Sequence, residues 1–286
     1  MTRMQMYMKE LRPEDWLKNV FVWVPVVFSL QLFSRVSVLA TGIAFIAFCL
    51  VSSAVYTFND ICDAQKDAMH PTKCKRPIAS GAISRKNAGI LCVVLVISGC
   101  VLSYIVDYRV FLIVITYLII NLVYTLVLKH VAVFDCFCIA AGFVLRTFAG
   151  GYACGEYVSD WLFLTIVSMS LFMAFGKRRA EMLDIDEDSQ RVVLQSYNLT
   201  FLNNTVFVCA GLAIVFYSLW AMNVGTNVLY TVPLVIFIVL KYLLVITGSA
   251  NNSSGNPTDV VLTNKTLLGA GAALGIILIL LLYAGS

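Results

Sequence analysis

Nine runs of apolar residues, most of them close to twenty residues long, restrict what this chain can fold into. They cover residues 20–33, 38–58, 87–106, 110–128, 133–152, 161–176, 205–223, 228–247 and 266–283. A helix of about 20 apolar residues crosses the hydrocarbon core of a bilayer, and 60% of all residues here are hydrophobic. The pattern predicts an all-α, polytopic membrane bundle of nine transmembrane helices, with residues 1–286 forming a single domain.

The positions of the basic residues predict the orientation of this bundle. With a cytoplasmic N-terminus, Arg35 and Arg109 fall outside and Arg146 lies within a run, which leaves 17 of the 20 Lys and Arg residues on the cytoplasmic side. Cytoplasmic loops carry such an excess. We therefore expect a multi-pass protein of the cell's inner (plasma) membrane, with two charged loops, 59–86 and 177–204, in the cytoplasm. The net charge of +4 then reflects topology, and no nucleic-acid partner is expected.

The first charged loop begins with the sequence NDICDAQKD at residues 59–67. If the preceding helix continues through it, four polar residues fall within an arc of roughly 100°: Asn59, Asp60, Asp63 and Asp67. Carboxylates held this close repel each other unless a cation lies between them. Such hard oxygen ligands suit Mg²⁺, which takes one or two carboxylates and completes its shell with water and substrate phosphate. The run therefore predicts a Mg²⁺ site at the membrane surface that handles a diphosphate.

The second charged loop begins with the sequence GKRRAEMLDIDED at residues 176–188. The residues that share one face of a continued helix are Lys177, Glu181, Asp184 and Asp188. Mixed charges of this kind are typical either of a solvated helix with i,i+4 ion pairs or of a substrate site. For Asp184 and Asp188 both interpretations stay open. The position of Lys177, Arg178 and Glu181 directly after a membrane run favours a functional role for these three residues.

Polar residues within the apolar runs indicate a cavity inside the bundle. Asp135 and Arg146 lie three helical turns apart on one face of the fifth run, while Asn121 and Tyr124 form a second stripe that ends near Lys129. Ionisable groups at membrane depth are costly and usually face the bundle interior. The alternative is structural: an internal ion pair between Asp135 and Arg146, and hydrogen bonds between helices for the second stripe.

The motifs of the first charged loop resemble the first signature of the UbiA superfamily of intramembrane prenyltransferases. They are the acidic run, HPTK at 70–73 and RPIASG at 76–81, and the spans with two charged cytoplasmic loops match this superfamily over nearly the whole chain. Three further segments resemble its decaprenyl-phosphate phosphoribosyltransferase branch: LRPEDWLKN at 11–19, GKRRAE at 176–181 and GNPTD at 255–259. The resemblance implies a UbiA-like fold and a Mg²⁺-dependent phosphoribosyltransferase.

The resemblance also implies substrates and residue roles. The reaction would transfer 5-phosphoribose from phosphoribosyl diphosphate to a polyprenyl phosphate lipid of the decaprenyl type, feeding arabinose donors for the cell envelope. Asp60, Asp63 and Asp67 would act in catalysis by binding Mg²⁺ together with Asn59, and Glu181 would bind a ribose hydroxyl or join the metal shell. The residues implied to bind substrate are Lys18, Asn59, Lys73, Arg76, Tyr124, Lys129, Arg146, Lys177, Arg178 and Glu181.

Two other functions fit parts of the sequence. Asp184 and Asp188 have the D-x-x-x-D spacing that most prenyltransferases of the superfamily carry in the second loop, so the alternative is an enzyme that joins a polyprenyl diphosphate to an aromatic acceptor. The second alternative is a lipid transporter or binding protein. Carboxylates at the mouth of a loop suit Mg²⁺ and a diphosphate better than a transport site at the bilayer midplane. The sequence is compatible with an oligomer and leaves the polyprenyl chain length open.

Overall fold

The computed structural model of the protein describes residues 3–183, 192–247, 260, 261 and 263–283. Within these ranges the chain is helical and has no β-strand. The α-helices, in chain order, are α1 (Arg3–Leu11), α2 (Val24–Phe28), α3 (Arg35–Met69), α4 (Arg85–Val106), α5 (Tyr108–Leu126), α6 (Phe134–Cys154), α7 (Asp160–Leu183), α8 (Leu199–Val224), α9 (Thr226–Leu229), α10 (Val232–Thr247) and α11 (Lys265–Tyr283). Short 3-10 helices cover Pro13–Trp23, Lys73–Lys75, Leu128–His130 and Val192–Ser196. The predicted all-α class is confirmed.

Eight helical segments of the described chain are long and apolar enough to cross a bilayer. They are α3 to α8, the segment Asn227–Thr247 that includes α10, and α11. Large apolar side chains cover their outward faces: in α4, Ile90, Val94 and Ile97 are 57%, 53% and 58% exposed. Soluble proteins rarely expose contiguous apolar faces of this kind, whereas the hydrocarbon of a bilayer solvates them. The chain is therefore a multi-pass membrane protein.

The first predicted span, residues 20–33, does not form one long helix. Its start belongs to the 3-10 helix Pro13–Trp23, and α2 adds only 5 residues. Pro25 lacks the N–H that would continue a helix from the preceding turn, and Leu30 has a left-handed backbone with φ of 63°, which an α-helix does not accommodate. The described residues therefore give eight spanning helices, and the predicted count of nine is not confirmed.

Helix α3 carries the acidic run out of the membrane. Ser34 caps its first turn, since the Ser34 hydroxyl accepts a hydrogen bond from the Ser37 N–H at 3.4 Å. Its 35 residues extend over about 52 Å at 1.5 Å per residue, well beyond a hydrocarbon core of about 30 Å. The helix ends before His70, whose backbone is extended, because a residue that precedes a proline avoids helical backbone. The predicted continuation of the helix through residues 59–67 is confirmed.

The helices pack into two compact units. Unit 1 comprises Met1–Leu126 and Leu145–Tyr157, and unit 2 comprises Val127–Val144 and Val158–Ser286. In unit 1, Gly150 of α6 lets the helix approach the 3-10 helix closely, because a Cβ at this position would lie 1.9 Å from the carbonyl oxygen of Val22. In unit 2, α7 packs along α8, and the ring of Phe172 meets that of Tyr242 edge to face at 5.2 Å between centres. Each unit therefore has its own packed core, and each presents its own polar cluster.

Candidate active site

Two carboxylates of the acidic run converge on one positively charged atom in unit 1. Asp60 and Asp67 lie about two turns apart on α3 and are only 2% and 5% exposed. Nη1 of Arg76 lies 2.9 Å from Oδ1 of Asp60 and 2.6 Å from Oδ2 of Asp67. The guanidinium thus supplies the cation that two buried like charges need. The structure brings these two predicted residues together, with Arg76 between them.

Arg12 reaches the same pair of carboxylates from a distant part of the sequence. Its backbone is left-handed, with φ of 51° and ψ of 63°, a conformation that costs a non-glycine residue about 1–3 kcal/mol. Nη2 of Arg12 donates to both oxygens of Asp60, at 2.8 and 2.6 Å. Burial opposes the charge of Arg12, but the carboxylates around it, Asp60 foremost, together outweigh burial and raise the pKa of this guanidinium. Two guanidinium groups therefore hold Asp60.

A small apolar cluster fixes the segments that carry these two arginines. Its buried members are Ala64, Ile78, Ile83 and Ala88, and Met6 and Tyr7 of α1 pack against it. The C-terminal end of α1 is also tied to α3, because the Leu11 carbonyl accepts a hydrogen bond from the Ser53 hydroxyl at 2.6 Å. Arg12 and Arg76 therefore extend toward Asp60 from segments that are anchored on both sides.

The other polar residues of the acidic run have different surroundings. Oδ1 of Asn59 is buried without a hydrogen-bond partner, whereas Asp63 is partly exposed. In the described ranges no group of three or more His, Cys, Asp and Glu side chains is placed to hold a metal ion, so the three predicted aspartates do not form one cage. Two convergent carboxylates still fit Mg²⁺, which draws its other ligands from water and substrate phosphate, and the unpartnered oxygen of Asn59 is of a type that binds this ion. The residues that would hold it are Asn59, Asp60 and Asp67.

A further carboxylate lies buried beside this pair. Glu10 of α1 is 1% exposed, and neither of its oxygens has a hydrogen-bond partner. Burial raises the pKa of Glu10 to about 7, and Asp60 acts in the same direction, while the charges of Arg12 and Arg76 lower it. Glu10 therefore feels the same charges as the acidic pair but does not share their hydrogen bonds.

Lys18 and Lys73, two of the predicted substrate-binding residues, also belong to unit 1. Nζ of Lys18 donates to Oδ1 of Asp15 at 2.5 Å and lies 5.9 Å from the centre of the Tyr56 ring. Burial opposes the charge of Lys18, but Tyr56 and Asp15 outweigh burial and raise its pKa. Lys73 is partly exposed and opens the short 3-10 helix that precedes Arg76. Both lysines are accessible to an anionic group.

Arg146 is buried in unit 1 at 5% exposure. Its Nε donates to Oδ1 of Asn19 at 2.7 Å, and its Nη2 donates to the Tyr117 hydroxyl at 3.0 Å. The guanidinium also lies 4.8 Å from the centre of the Tyr117 ring. The sequence left open an ion pair between Arg146 and Asp135, but Asp135 pairs with a different arginine.

That arginine is Arg178, which belongs to a buried network in unit 2. Oδ2 of Asp135 accepts from Nε of Arg178 at 2.5 Å, and Oδ1 accepts from the Tyr197 hydroxyl at 2.7 Å. Asp135 is 0% and Arg178 1% exposed. Nη1 of Arg178 donates to Glu181, and the Tyr197 oxygen accepts from the Val133 N–H at 2.6 Å. Burial raises the pKa of Tyr197, and its bond to Asp135 adds to this effect, so the Tyr197 hydroxyl keeps its proton.

This network bears on the predicted residues of the second charged loop. The resemblance implied that Arg178 binds substrate. In the structure its guanidinium contacts Asp135 and Glu181, so it orients the Glu181 carboxylate. Lys177 is partly exposed. Asp184 and Asp188 lie outside the described residues. The remaining candidates, Tyr124 at the end of α5 and Lys129 in the 3-10 helix Leu128–His130, are both partly exposed.

Glu10, Arg12 and Tyr197 are among the residues of these clusters that were not predicted from the sequence. Each acts across a long sequence separation, which is 48 residues between Arg12 and Asp60 and 62 between Tyr197 and Asp135. Spacing along one helix identifies only neighbours on that helix. The one local signal was the proline after Arg12, which disfavours helical backbone at the arginine.

Comparison with known proteins identifies relatives over nearly the whole chain. The model of the UbiA prenyltransferase family matches residues 20–259. Decaprenyl-phosphate phosphoribosyltransferase from Corynebacterium glutamicum is 33% identical over 272 residues, which cover 91% of this chain and 81% of the relative. The protein of the same name from Mycobacterium tuberculosis is 32% identical over 270 residues and covers 91% of this chain and 88% of the relative.

Solved structures agree with this relationship at the level of the fold. A UbiA homolog from Archaeoglobus fulgidus, bound to GPP and Mg²⁺, superposes with a TM-score of 0.76 at 18% identity, covering 94% of this chain and 99% of that one. The family match covers the acidic run and the whole second charged loop, so the resemblance extends beyond the motifs to most of the chain. The chain belongs to the UbiA prenyltransferase family.

Proposed function

We propose that the protein transfers 5-phosphoribose from phosphoribosyl diphosphate to a polyprenyl phosphate of the decaprenyl type, using Mg²⁺. The product, polyprenyl-phosphoryl-5-phosphoribose, would feed arabinose donors for the cell envelope. The observation that carries the proposal is the convergence of Asp60 and Asp67 on one cationic atom, with a second guanidinium on Asp60. Carboxylates and guanidiniums in this arrangement suit a metal ion and a diphosphate. The choice of donor is supported by relatives named decaprenyl-phosphate phosphoribosyltransferase that match 91% of the chain.

The reaction exchanges one C–O bond at C1 of the ribose. The bond from C1 to the diphosphate oxygen breaks, a bond from C1 to an oxygen of the acceptor phosphate forms, and diphosphate leaves. Mg²⁺ held by Asp60, Asp67 and Asn59 would neutralise the charge that develops on the leaving group. Arg12 and Arg76 add fixed positive charge at the same place, which stabilises the leaving group without reorganisation. The acceptor phosphate is already an anion, so the site needs no strong general base.

The other candidates receive roles that follow from their chemistry. Lys73 and Lys177 are proposed to bind phosphate groups of the donor, because an ammonium acts as a point charge toward phosphate. Glu181, held by Arg178, is proposed to bind a ribose hydroxyl. Asp63 stays a proposed catalytic residue and Mg²⁺ ligand beside Asp60 and Asp67. The remaining proposed substrate contacts are Lys18, Tyr124, Lys129 and Arg146.

Purified protein should move label from phosphoribosyl diphosphate into the lipid phase when polyprenyl phosphate and Mg²⁺ are present. Chelation of the metal should stop the transfer, because the leaving group then keeps its full charge. A donor that lacks the 5-phosphate should be used less well, by roughly 10- to 150-fold, if one charge-assisted contact to that phosphate is lost. The absence of lipid-phase label, together with turnover of a prenyl diphosphate and an aromatic acceptor, would assign the site to the alternative prenyltransferase reaction.

We also propose that the protein lies in the inner (plasma) membrane of the cell and that its site faces the cytoplasm. The predicted topology supports this orientation, because it places 17 of the 20 Lys and Arg residues on the same side of the membrane as the site. Cytoplasmic loops carry such an excess of basic residues. In a background without cysteines, an impermeant thiol reagent should label Gly155→Cys in intact cells and Ser80→Cys only after permeabilisation. Labelling of Ser80→Cys in intact cells would reverse the orientation.

A further inference from the structure

Glu10 is a buried carboxylate without hydrogen-bond partners, a situation that is rare in folded proteins. Both carboxylate oxygens are buried and lack a hydrogen bond, although such a group normally costs several kcal/mol unless donors surround it. In the described part of the chain the other buried side-chain oxygens in this condition are Oδ1 of Asn59 and the hydroxyls of Ser29 and Thr41. Glu10 is therefore the single carboxylate of this kind among the described residues, and Asn59 belongs to the acidic run.

The surroundings of Glu10 fix it at the edge of the acidic pair. Met6 and Tyr7 of the same helix are packed on the apolar cluster of the first loop, and Nζ of Lys9 donates to the Lys75 carbonyl at 3.4 Å. The electrostatic neighbours of Glu10 are Asp60, Arg12 and Arg76. The helix thus holds Glu10 inside the protein on the side that carries the proposed diphosphate site.

The chemistry of the missing partner follows from the charge of the site. Nη2 of Arg12 donates to Asp60, and Nη1 of Arg76 donates to both Asp60 and Asp67. Ionised phosphate oxygens carry no proton and repel a carboxylate. The groups that can donate to Glu10 are O–H groups, either ribose hydroxyls or water held by a metal ion.

We propose that Glu10 is a substrate-binding residue that accepts hydrogen bonds from O–H groups of the Mg²⁺–phosphoribosyl diphosphate complex. This inference rests on the proposed function, because it takes the sugar diphosphate as the donor. It adds a contact from α1 to the carboxylates and guanidiniums that Asp60, Asp67, Arg12 and Arg76 contribute.

The test compares Glu10→Gln with Glu14→Gln, a matched variant at a nearby exposed glutamate. Binding is measured by calorimetry in the presence of Mg²⁺, first with phosphoribosyl diphosphate and then with inorganic diphosphate, which has no ribose. Loss of acceptor contacts should weaken phosphoribosyl diphosphate binding by roughly 5- to 150-fold in Glu10→Gln, while Glu14→Gln binds as the wild type does. Unchanged binding of inorganic diphosphate assigns the contact to a ribose hydroxyl, and parallel weakening assigns it to metal-held water.

Melting temperatures and a second variant separate this role from a structural one. Glu10→Gln should melt no lower than the wild type, and Glu10→Asp, which withdraws the carboxylate by one methylene, should show the same loss of binding. Unchanged affinity in both variants, or a lower melting temperature with unchanged affinity, overturns the assignment of Glu10. A wild type that binds inorganic diphosphate but not phosphoribosyl diphosphate would instead overturn the proposed donor, and the inference with it.

Discussion

Asp67→Asn should abolish most turnover while the protein stays folded in the membrane. The side chain keeps its size, but the site loses one of the two negative charges that converge on Nη1 of Arg76. Removing one preorganised electrostatic contact typically lowers kcat by about 10²–10³-fold, and loss of a charged metal ligand adds to this. The expected result is a fall in kcat of at least that size, with half-saturation shifted to higher Mg²⁺ in a titration.

Asp60→Asn should lose as much activity and also lower the melting temperature. Asp60 is bound by both Arg12 and Arg76. Its neutralisation takes from Arg12 the carboxylate that this guanidinium binds and leaves Arg76 with Asp67 alone, and breaking buried pairs is strongly destabilising. Asp107→Asn is the control, because Asp107 belongs to an exposed pair with Arg109, and exposed pairs contribute little to stability. Activity near that of the wild type in both Asp60→Asn and Asp67→Asn would remove these carboxylates from the reaction.

The expectation that Asp60→Asn destabilises the protein more than Asp67→Asn does comes from the structure and not from the sequence. Spacing alone placed the carboxylates on one face of α3, where they should repel and contribute nothing to stability without a metal. The structure adds guanidiniums from Arg12 and Arg76, and these make Asp60 part of the folded core. A contact between residues 48 apart leaves no periodic signal, so sequence patterns could not supply it.

The parts of the fold that could be predicted are those governed by local physics. Apolar runs near twenty residues identify α3 to α8, α10 and α11 because lipid demands that length. The continuation of α3 through the acidic run is also compatible with the sequence, since no proline or glycine lies between Phe58 and Pro71. The first predicted run does not form one long helix, and hydropathy does not register the break at Pro25 or the left-handed residue Leu30.

Arg178 shows that sequence patterns also miss contacts between distant residues at the candidate site. Its position after a membrane run predicted a functional role, and the family resemblance implied that it binds substrate. Its burial, and its ion pair with Asp135 at a sequence separation of 43 residues, depend on how α6 and α7 pack within unit 2. The structure therefore changes the question from whether Arg178 touches substrate to whether it holds Glu181 in place.

Arg178→Met should destabilise the protein by about 3–5 kcal/mol, because it leaves Asp135 as an uncompensated buried charge. Asp135→Leu should lower the free energy of unfolding by a similar amount, because the buried guanidinium of Arg178 then keeps only one of its two carboxylate partners, Glu181. The double variant, Asp135→Leu with Arg178→Met, removes both charges and should recover most of the stability, as apolar replacements of buried pairs often do. Melting temperatures of the three variants, measured in one detergent, test this non-additivity.

Activity should not recover in the double variant, and this separates support of the fold from support of the site. Glu181 is 21% exposed and is oriented by Nη1 of Arg178, so a stable protein without Arg178 still presents a misplaced carboxylate. Glu181→Gln, which should melt near the wild type, is the matched control and should share the same loss of turnover, carried mainly by KM for phosphoribosyl diphosphate. Full recovery of both stability and turnover in the double variant would mean that the Asp135–Arg178 pair serves only the packing of α6 against α7. Recovery of stability alone would mean that a buried ion pair is kept at this position because it orients a carboxylate that binds substrate.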